Sequence, residues 1–271
     1  MPRRPRTARR STSSTQSRNP LRFPWERPGI NAEAPATATA GERGALKSVR
    51  VLQLPRSPYR DVLELQRTIH DEVARGVRGD TWIVVEHDPV ITLGRNAKRE
   101  HVLAPAEVLA ARGVDVVEVE RGGDVTYHGP GQLVVYPIVR LERFREVVPM
   151  VSAIEGAVVA TLAQFGIAAR ARSEHRGVYV GDAAICAVGL AVRRMTSMHG
   201  LALNVSTSLN YDALIVPCGT PQFGVTSMER ELGRAVTTGD AMALLLASLA
   251  LAFGVSLCHP DTMGTAVEKS A

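Results

Sequence analysis

Residues 121–132 combine turn-forming residues with side chains that can bind, orient or transfer protons. The segment reads Arg-Gly-Gly-Asp-Val-Thr-Tyr-His-Gly-Pro-Gly-Gln, so four of its twelve positions are Gly and one is Pro. This content is incompatible with a helix or a plain strand. The polar positions include Arg121, Thr126, Tyr127 and His128, and an apolar run follows them. We predict a loop that brings its backbone close to a ligand.

The glycines of this loop could in principle cradle a phosphate. Their spacing fits neither the P-loop pattern nor a GxGxxG fingerprint that opens a helix. The next segment, Leu133–Val139, is a strand pattern. We therefore expect the wall of a pocket for an acyl chain or its carrier rather than a nucleotide site.

The chain has three cysteines, and one of them is a candidate nucleophile. Cys218 lies between Pro217 and Gly219, on a turn that can expose a thiol, although free cysteines are more often buried small hydrophobes. Cys186 sits in a strand pattern and is expected to pack in the core, and Cys258 has no informative context. An odd number without CxxC spacing argues against a disulfide scaffold or a structural zinc site and suits a reducing compartment.

Two histidines have neighbours that favour a functional role. His128 precedes Gly-Pro-Gly, and His199 precedes Gly-Leu-Ala-Leu-Asn, although either one taken alone is more often structural. His87 is expected to belong to a turn. Because the chain has no HExxH pattern, we predict no metal.

The net charge of +5 is concentrated in the first part of the chain. Residues 1–50 carry eleven Lys and Arg against three acidic residues, and the rest of the chain carries 21 against 24. The body is therefore mildly acidic, which gives no support for nucleic-acid binding and leaves an acidic partner protein open.

Composition divides the chain into three parts. Residues 1–45 are predicted to be a disordered basic extension, 46–258 a catalytic domain, and 259–271 a disordered tail. The extension has the composition of an organellar transit peptide, but it has almost no apolar residues to form an amphipathic face. We therefore favour a bacterial extension or an early start codon, and we expect a cytoplasmic protein. The apolar run Ala241–Phe253 is too short to span a bilayer and indicates a buried helix. We expect no membrane association and a monomer.

Hydrophobic periodicity predicts strands and helices in an α+β arrangement. Two of the helices are expected to end at Gly166 and Gly254, with Asp240 as the N-cap of the last one. The expected strands lie at Ser48–Leu54, Thr81–Glu86, Val114–Val119, Leu133–Val139, Val178–Val180, Ile185–Val192 and Leu201–Val205, and the helices at Tyr59–Val77, Val151–Phe165 and Ala241–Phe253.

Four segments together resemble the octanoyltransferase family, also called lipoyl(octanoyl) transferases. They are EHDPVITLGR at 86–95, RGGDVTYHGPGQLVVYP at 121–137, ICAVGLAVRR followed by HGLALNV within 185–205, and PCG at 217–219. The resemblance covers about residues 48–255. It implies the biotin/lipoate protein ligase-like fold, which is class II synthetase-like, with a mixed, mostly antiparallel sheet packed by helices.

The resemblance also implies an activity, partners and site residues. Members transfer an octanoyl group, without a cofactor, from acyl carrier protein to a lysine of lipoyl domains, which belong to E2 subunits of 2-oxoacid dehydrogenases or to the glycine cleavage H protein. This is the first step of endogenous protein lipoylation. Cys218 matches the acyl-thioester cysteine, and backbone N–H groups near Gly189 or the Cys218 turn are candidates to hold the oxyanion. The positions that match substrate-contacting residues are Arg121, Gly122, Gly123, Asp124, Val125, Thr126, Tyr127, His128, Ala187, Val188, Gly189, Gly200, Leu201 and Ala202.

One position departs from the family pattern. Ala184 stands where the resemblance expects a lysine that lowers the pKa of the cysteine and moves protons. Without a cationic neighbour, only a few per cent of an ordinary thiol, with a pKa near ~8.5, is thiolate at neutral pH. Three explanations of Ala184 are open. His128 or His199 replaces the lysine as the base, the chain is an impaired paralogue, or the chain is an engineered Lys→Ala variant. We favour residual transferase activity with another base.

Two other functions compete with this interpretation. An ATP-dependent lipoate–protein ligase shares the fold, but its chemistry needs the lysine and not the cysteine, so Ala184 and Cys218 disfavour it. A non-catalytic protein that binds acyl carrier protein or lipoyl domains is favoured by Ala184. The intact 121–132 loop and Cys218 disfavour it.

Overall fold

A computed structural model describes residues 46–172, 174–219 and 223–258, with only the backbone of residues 212 and 218. The predicted extension 1–45 and tail 259–271 lie outside the described residues, and the predicted domain boundaries stay predictions. The strands are β1 Lys47–Gln53, β2 Thr81–Val85, β3 Val90–Leu93, β4 Asp115–Glu118, β5 Val125–His128, β6 Gln132–Ile138, β7 Arg170–Ala171, β8 Gly177–Val180, β9 Ala183–Arg193, β10 Thr196–Asn204, β11 Gly224–Val225 and β12 Val255–Cys258.

The helices are distributed between these strands, and short 3-10 turns connect several of them. The α-helices are α1 Tyr59–Ala74, α2 Ala106–Ala111, α3 Val147–Gln164, α4 Met228–Leu232 and α5 Thr238–Phe253. The 3-10 turns lie at Arg99–His101, Phe144–Glu146, Leu209–Leu214 and Pro217–Gly219.

Two sheets organise the described chain. The large sheet has the order β12-β1-β2-β6-β10-β9-β8-β7, with β11 paired to β9, and the small sheet has the order β4-β3-β5. In the large sheet β1 is parallel to β12 and β2, and β11 is parallel to β9, while the other pairs are antiparallel. The predicted mixed, mostly antiparallel sheet is therefore confirmed.

Both faces of the large sheet are covered, which explains why every residue of β6 is buried. Side chains alternate along a strand, so Leu133 and Val135 enter the core under α3 and α5, whereas Val134 and Tyr136 enter the core under α1. A strand covered on both faces reads as a continuous apolar run rather than an alternating one. This is the pattern that residues 133–139 show.

The ends of the last helix differ in part from the prediction. Gly254 closes α5 with φ of 63°, as expected. The N-cap is Thr237 and not Asp240, because the Thr237 hydroxyl accepts from the Asp240 N–H at 3.2 Å. Asp240 occupies the third helical position and accepts from the Thr237 N–H at 2.9 Å, which completes a capping box.

One helix satisfies a composition test for membrane spans. Residues Phe144–Gln164 are long and apolar enough to cross a bilayer. A helix that packs on a core can satisfy the same test, and α3 packs against α5 and the sheet. Its buried Glu155 accepts from the Gly177 N–H at 2.8 Å and pairs with Arg176 at 3.1 Å. These contacts fix α3 as a core helix of this fold.

Candidate active site

A cavity of about 430 Å³ brings the three predicted substrate-contacting segments together. This volume is in the range of ~300–1,000 Å³ that is typical of small-molecule sites. The cavity lies between the small sheet, which supplies β5, and the large sheet, which supplies β9 and β10. Its walls include Arg121, Gly122, Gly123, Asp124, Thr126 and His128 from the first segment, Ala187, Val188 and Gly189 from the second, and Gly200, Leu201 and Ala202 from the third.

Small residues form the part of the wall that β9 and β10 contribute. Gly189 pairs with Gly200, and Ala187 pairs with Ala202. A side chain at Gly200 has no room, because a Cβ there would lie 2.1 Å from the Val135 carbonyl oxygen. The paired strands therefore present mostly backbone to the cavity, which leaves space for a ligand.

The glycine loop is fastened to both sheets. The Gly122 N–H donates to the Leu190 carbonyl of β9 at 2.9 Å, and the Gly94 N–H donates to the Asp124 carbonyl at 3.2 Å. A Cβ at Gly94 would lie 2.4 Å from the Gly123 carbonyl oxygen, so the two backbones pass in close contact. The predicted approach of loop backbone to the cavity thus has a rigid support.

Residues 125–128 form strand β5 within what the sequence predicted to be a loop. Because side chains alternate along a strand, Thr126 and His128 line the large cavity. Val125 and Tyr127 point to the opposite side of β5, where both line a second, smaller cavity and Tyr127 stacks on Tyr211 at a centroid distance of 4.5 Å. Gly129 is required beside this ring, since a Cβ there would lie 2.1 Å from the Tyr127 hydroxyl.

Arg121 is buried at the edge of the cavity. Its guanidinium donates to the Thr92 carbonyl at 2.9 Å and to the Thr92 hydroxyl at 2.8 Å. It also donates to the Gly122 carbonyl at 3.0 Å. Arg121 therefore holds β3 and the glycine loop together while it keeps a positive charge beside the cavity.

His128 is placed as a neutral ring. Its Nδ1 lies 2.7 Å from Gln132 Oε1, and Gln132 donates its amide N–H to Asn204 Oδ1 at 2.9 Å. His128 Nε2 lies 3.3 Å from the Thr92 hydroxyl. Burial lowers the pKa of His128 to about 3, and the charges of His87 and Arg121 add to the effect. A base with so low a pKa is poorly matched to proton transfer near neutral pH.

His199 faces away from the cavity. Its backbone has φ of 59°, and its N–H donates to Gln66 of helix α1 at 3.1 Å. The ring is 1% exposed and lies 3.7 Å from Glu120. Burial lowers the pKa of His199, and Glu120 opposes the shift. His199 is not among the described residues that line the cavity, although its neighbour Gly200 is.

A smaller cavity adjoins the large one and reaches the predicted nucleophile turn. It shares Thr126, Ala187 and Ala202 with the large cavity and extends to Ala184 and Pro217. The position where the resemblance expects a lysine therefore lines the same space as the 3-10 turn Pro217–Gly219. The side chain of Cys218 lies outside the described part of the chain, so its role as the nucleophile stays a prediction.

The sequence-based interpretation missed several residues that shape the site. His87, predicted in a turn, is fully buried and hydrogen-bonds Tyr136 at 2.7 Å. Thr92 anchors Arg121, and His101 pairs with Asp124 at 2.8 Å. None of these contacts follows a short sequence spacing, so only the fold could reveal them. Within the described residues, no group of three or more His, Cys, Asp or Glu is placed to hold a metal ion.

Known sequences match most of the described chain. A family model of the lipoyl protein ligase A/B catalytic domain matches residues 58–250. An octanoyltransferase of Koribacter versatilis is 41% identical over 211 residues, which cover 76% of this chain and 84% of the relative. One of Chloroflexus aggregans is 42% identical over 212 residues, 77% of this chain and 96% of the relative. One of Myxococcus xanthus is 43% identical over 215 residues, 77% of this chain, and the match spans only 60% of that longer relative.

Solved structures confirm the predicted fold. A bipartite lipoate protein ligase of Thermoplasma acidophilum superposes with a TM-score of 0.62 at 15% identity, over 79% of this chain and 86% of that one. A lipoate-protein ligase A bound with ATP superposes with a TM-score of 0.63 at 17% identity, over 78% of this chain and 88% of that one. At this level of identity the likeness concerns the architecture.

Proposed function

We propose a specific reaction for this chain, which belongs to the octanoyltransferase family of acyltransferases. In this proposal it takes an octanoyl or lipoyl group from acyl carrier protein onto Cys218. It then passes the group to a lysine of a lipoyl domain, as the first step of protein lipoylation. The lipoyl domains belong to E2 subunits of 2-oxoacid dehydrogenases or to the glycine cleavage H protein. We place the reaction in the cytoplasm and assign it to a monomer.

One observation carries the proposal: three separate segments of the chain form one cavity that adjoins the Cys218 turn. The glycine loop and the small residues of β9 and β10 line the large cavity. The smaller cavity shares wall residues with it and reaches Pro217. A chain-like acyl group seated along the first space would have its thioester end near the second.

The proposed chemistry needs no external energy source. The Cys218 thiolate attacks the carbonyl of the carrier thioester, and the C–S bond to the carrier breaks, so one thioester replaces another. The lysine amine of the lipoyl domain then attacks the acyl-enzyme, forms the amide and releases the Cys218 thiol. The Gly219 N–H already donates to the Val216 carbonyl at 3.0 Å. The N–H groups proposed to hold the oxyanion are therefore those of the rest of the turn or of the region near Gly189.

The alternatives predict different requirements. A ligase of the kind represented by the ATP-bound structural neighbour would need ATP and a free acid. A binding protein, the alternative that Ala184 favours, would hold acyl carrier protein or a lipoyl domain without any transfer.

An ATP-free transfer assay separates these functions. We expect octanoyl-acyl carrier protein and a lipoyl domain, mixed with the full chain, to yield an octanoylated lysine, measured by intact mass of the lipoyl domain. Cys218→Ser should abolish the product, whereas Cys258→Ser should retain it, because Cys258 lies on the distant strand β12. Product formation only from octanoate and ATP would indicate a ligase. Binding with no product in either mixture would indicate a binding protein.

A further inference from the structure

A histidine–carboxylate pair lies directly beside the Cys218 turn. His101 Nδ1 is 2.8 Å from Asp124 Oδ2, and the two side chains are only 16% and 13% exposed. His101 ends the 3-10 turn Arg99–His101, and Asp124 comes from the glycine loop. The pair therefore links the turn Arg99–His101, which has no predicted role, to the predicted substrate loop.

The backbone fixes His101 against the strand-like segment that leads into the turn. The His101 carbonyl accepts from the Val216 N–H at 2.7 Å, and the Leu103 N–H donates to the Leu214 carbonyl at 2.8 Å. Val102 and Ile215 form an antiparallel bridge between these contacts. The distance between the His101 ring and the turn that begins at residue 217 is therefore set by main-chain hydrogen bonds.

The turn itself rests on the pair. Gly219, the residue after Cys218, has φ of +67° and no space for a side chain. A Cβ at Gly219 would lie 2.3 Å from Asp124 Oδ2 and 2.9 Å from His101 Cε1. The residue next to the predicted nucleophile is consequently in contact with both members of the pair.

Asp124 is held so that it can orient the imidazole. Its Oδ1 accepts from the Val125 N–H at 2.8 Å and from the Lys98 N–H at 3.4 Å, and Oδ2 faces His101. A carboxylate oxygen accepts hydrogen bonds, so His101 Nδ1 is the donor to Asp124, and Nε2 is the ring nitrogen left to take a proton. A base oriented by a third group in this way is the arrangement that activates nucleophiles in many acyl-transfer enzymes.

The charged groups around His101 leave Asp124 as its direct partner. On its own turn, Lys98 Nζ lies 3.8 Å from Glu100, and Arg99 pairs with Glu118 of β4 at 2.9 Å. These four side chains are all more than half exposed, so their charges are screened by water. Asp124 is the charge that faces the ring from the glycine loop.

We propose that His101 is the general base for Cys218 and that Asp124 is its positioning residue. This inference rests on the proposed function and answers the question that Ala184 raises. His128 has a lowered pKa and hydrogen-bonds Gln132, and His199 faces away from the cavity. Among the described histidines, His101 is the one whose ring contacts the turn at Gly219.

The proposed proton transfers balance in both half-reactions. His101 Nε2 takes the Cys218 proton, and the thiolate displaces the carrier thiolate from the octanoyl carbonyl. The imidazolium then gives this proton to the departing carrier thiolate. In the second half-reaction the ring takes a proton from the attacking lysine amine and gives it to the departing Cys218 thiolate.

Peptide-resolved alkylation of Cys218 by iodoacetamide tests this inference without using octanoyl transfer. In the full chain, His101→Gln should lower the alkylation rate at neutral pH by roughly tenfold or more and shift its pH midpoint upward toward that of an ordinary thiol. Asp124→Asn should give a smaller change in the same direction. It provides the test if His101→Gln does not fold. Glu100→Gln, an exposed neighbour on the same turn, is the matched control and should leave the profile unchanged.

The outcomes separate this inference from the proposed function. An unchanged alkylation profile in both variants would overturn the role of His101, even if the wild-type chain transfers octanoyl groups. A shifted profile in a chain that never acquires an octanoyl group would support the His101–Cys218 pair and refute the transferase proposal. A shift in Glu100→Gln equal to that in His101→Gln would mean a general disturbance of the turn and would also overturn the inference.

Discussion

At the scale of single residues, two histidines near the glycine loop have opposite surroundings. His128 can be found from the sequence because it stands within a motif, yet its ring is buried in a network with Gln132 and Asn204. His101 stands in an undistinguished Arg-Glu-His run, yet it is the one that contacts the turn after Cys218. Proximity to a sequence motif directed attention to His128 and not to His101, because the partner of His101 lies 23 residues away.

The role of His101 determines what a restored lysine would do. We expect Ala184→Lys to raise the ATP-free transfer rate by less than about threefold in the wild-type chain but by about tenfold or more in His101→Gln, since a second base matters most where the first is missing. Single-turnover rates of the four chains measure this coupling. Ala183→Lys places the same charge on the opposite face of β9 and is the control. Equal gains in both backgrounds would mean that His101 and the lysine position act independently.

At the scale of elements, the sequence predicted the strongly periodic segments and missed short ones. The strands at 81–86 and 133–139 are found within one residue of the prediction. Helix α3 ends within two residues of Gly166, as predicted, but begins four residues earlier than predicted. Strands β3 and β5 were missed: each has only four residues, and β5 lies among turn-forming glycines. Pairing between β3 and β5 stabilises both strands, whereas the strand propensity of their own residues does not. Their formation therefore depends on neighbours in space, which the local sequence does not show.

The close approach of β6 and β10 gives a test at this scale. Gly200→Ala should lower the free energy of unfolding by about 1–3 kcal/mol or more, because its Cβ would clash with the Val135 carbonyl and the Pro137 ring. Gly156→Ala is a matched control on the exposed face of α3, with no atom near the added Cβ, and should stabilise by about 0.5–1 kcal/mol. Urea unfolding of the three chains measures both changes. Similar stability for both variants would contradict the described strand contact.

At the scale of the whole molecule, the site lies where the two sheets face each other. The large sheet is closed on both faces by helices and contributes small residues to the cavity. The small sheet packs its own apolar cluster with the segment at 214–215 that precedes the turn. Several polar rings are buried at this junction, among them His87 and His128. Hydrophobic periodicity and the family resemblance predict the class of fold, but they do not reveal which histidines the junction buries.

These buried rings make stability depend on pH. Burial lowers the pKa of His87 to about 4 and that of His128 to about 3, from an ordinary value of 6.5. The unfolded chain therefore binds protons that the folded chain excludes, so stability is complete above about 6.5 and declines as the pH falls toward these values. Each ring should cost on the order of 2 kcal/mol between pH 7 and pH 5.

Urea unfolding at the two pH values checks this expectation. His128→Gln removes one of these buried rings and should reduce the loss of stability on acidification by about 2 kcal/mol. A wild-type chain whose free energy of unfolding is equal at pH 7 and pH 5 would contradict the buried neutral state of these histidines.

The most direct test of the central claim is the acyl-enzyme itself. After the full chain is mixed with octanoyl-acyl carrier protein in the absence of ATP, peptide mass spectrometry should find an octanoyl group on Cys218. The group should be absent from Cys186 and Cys258, and it should disappear from Cys218 when a lipoyl domain is added. An unmodified Cys218 in a chain that still binds the acyl carrier protein would contradict the account.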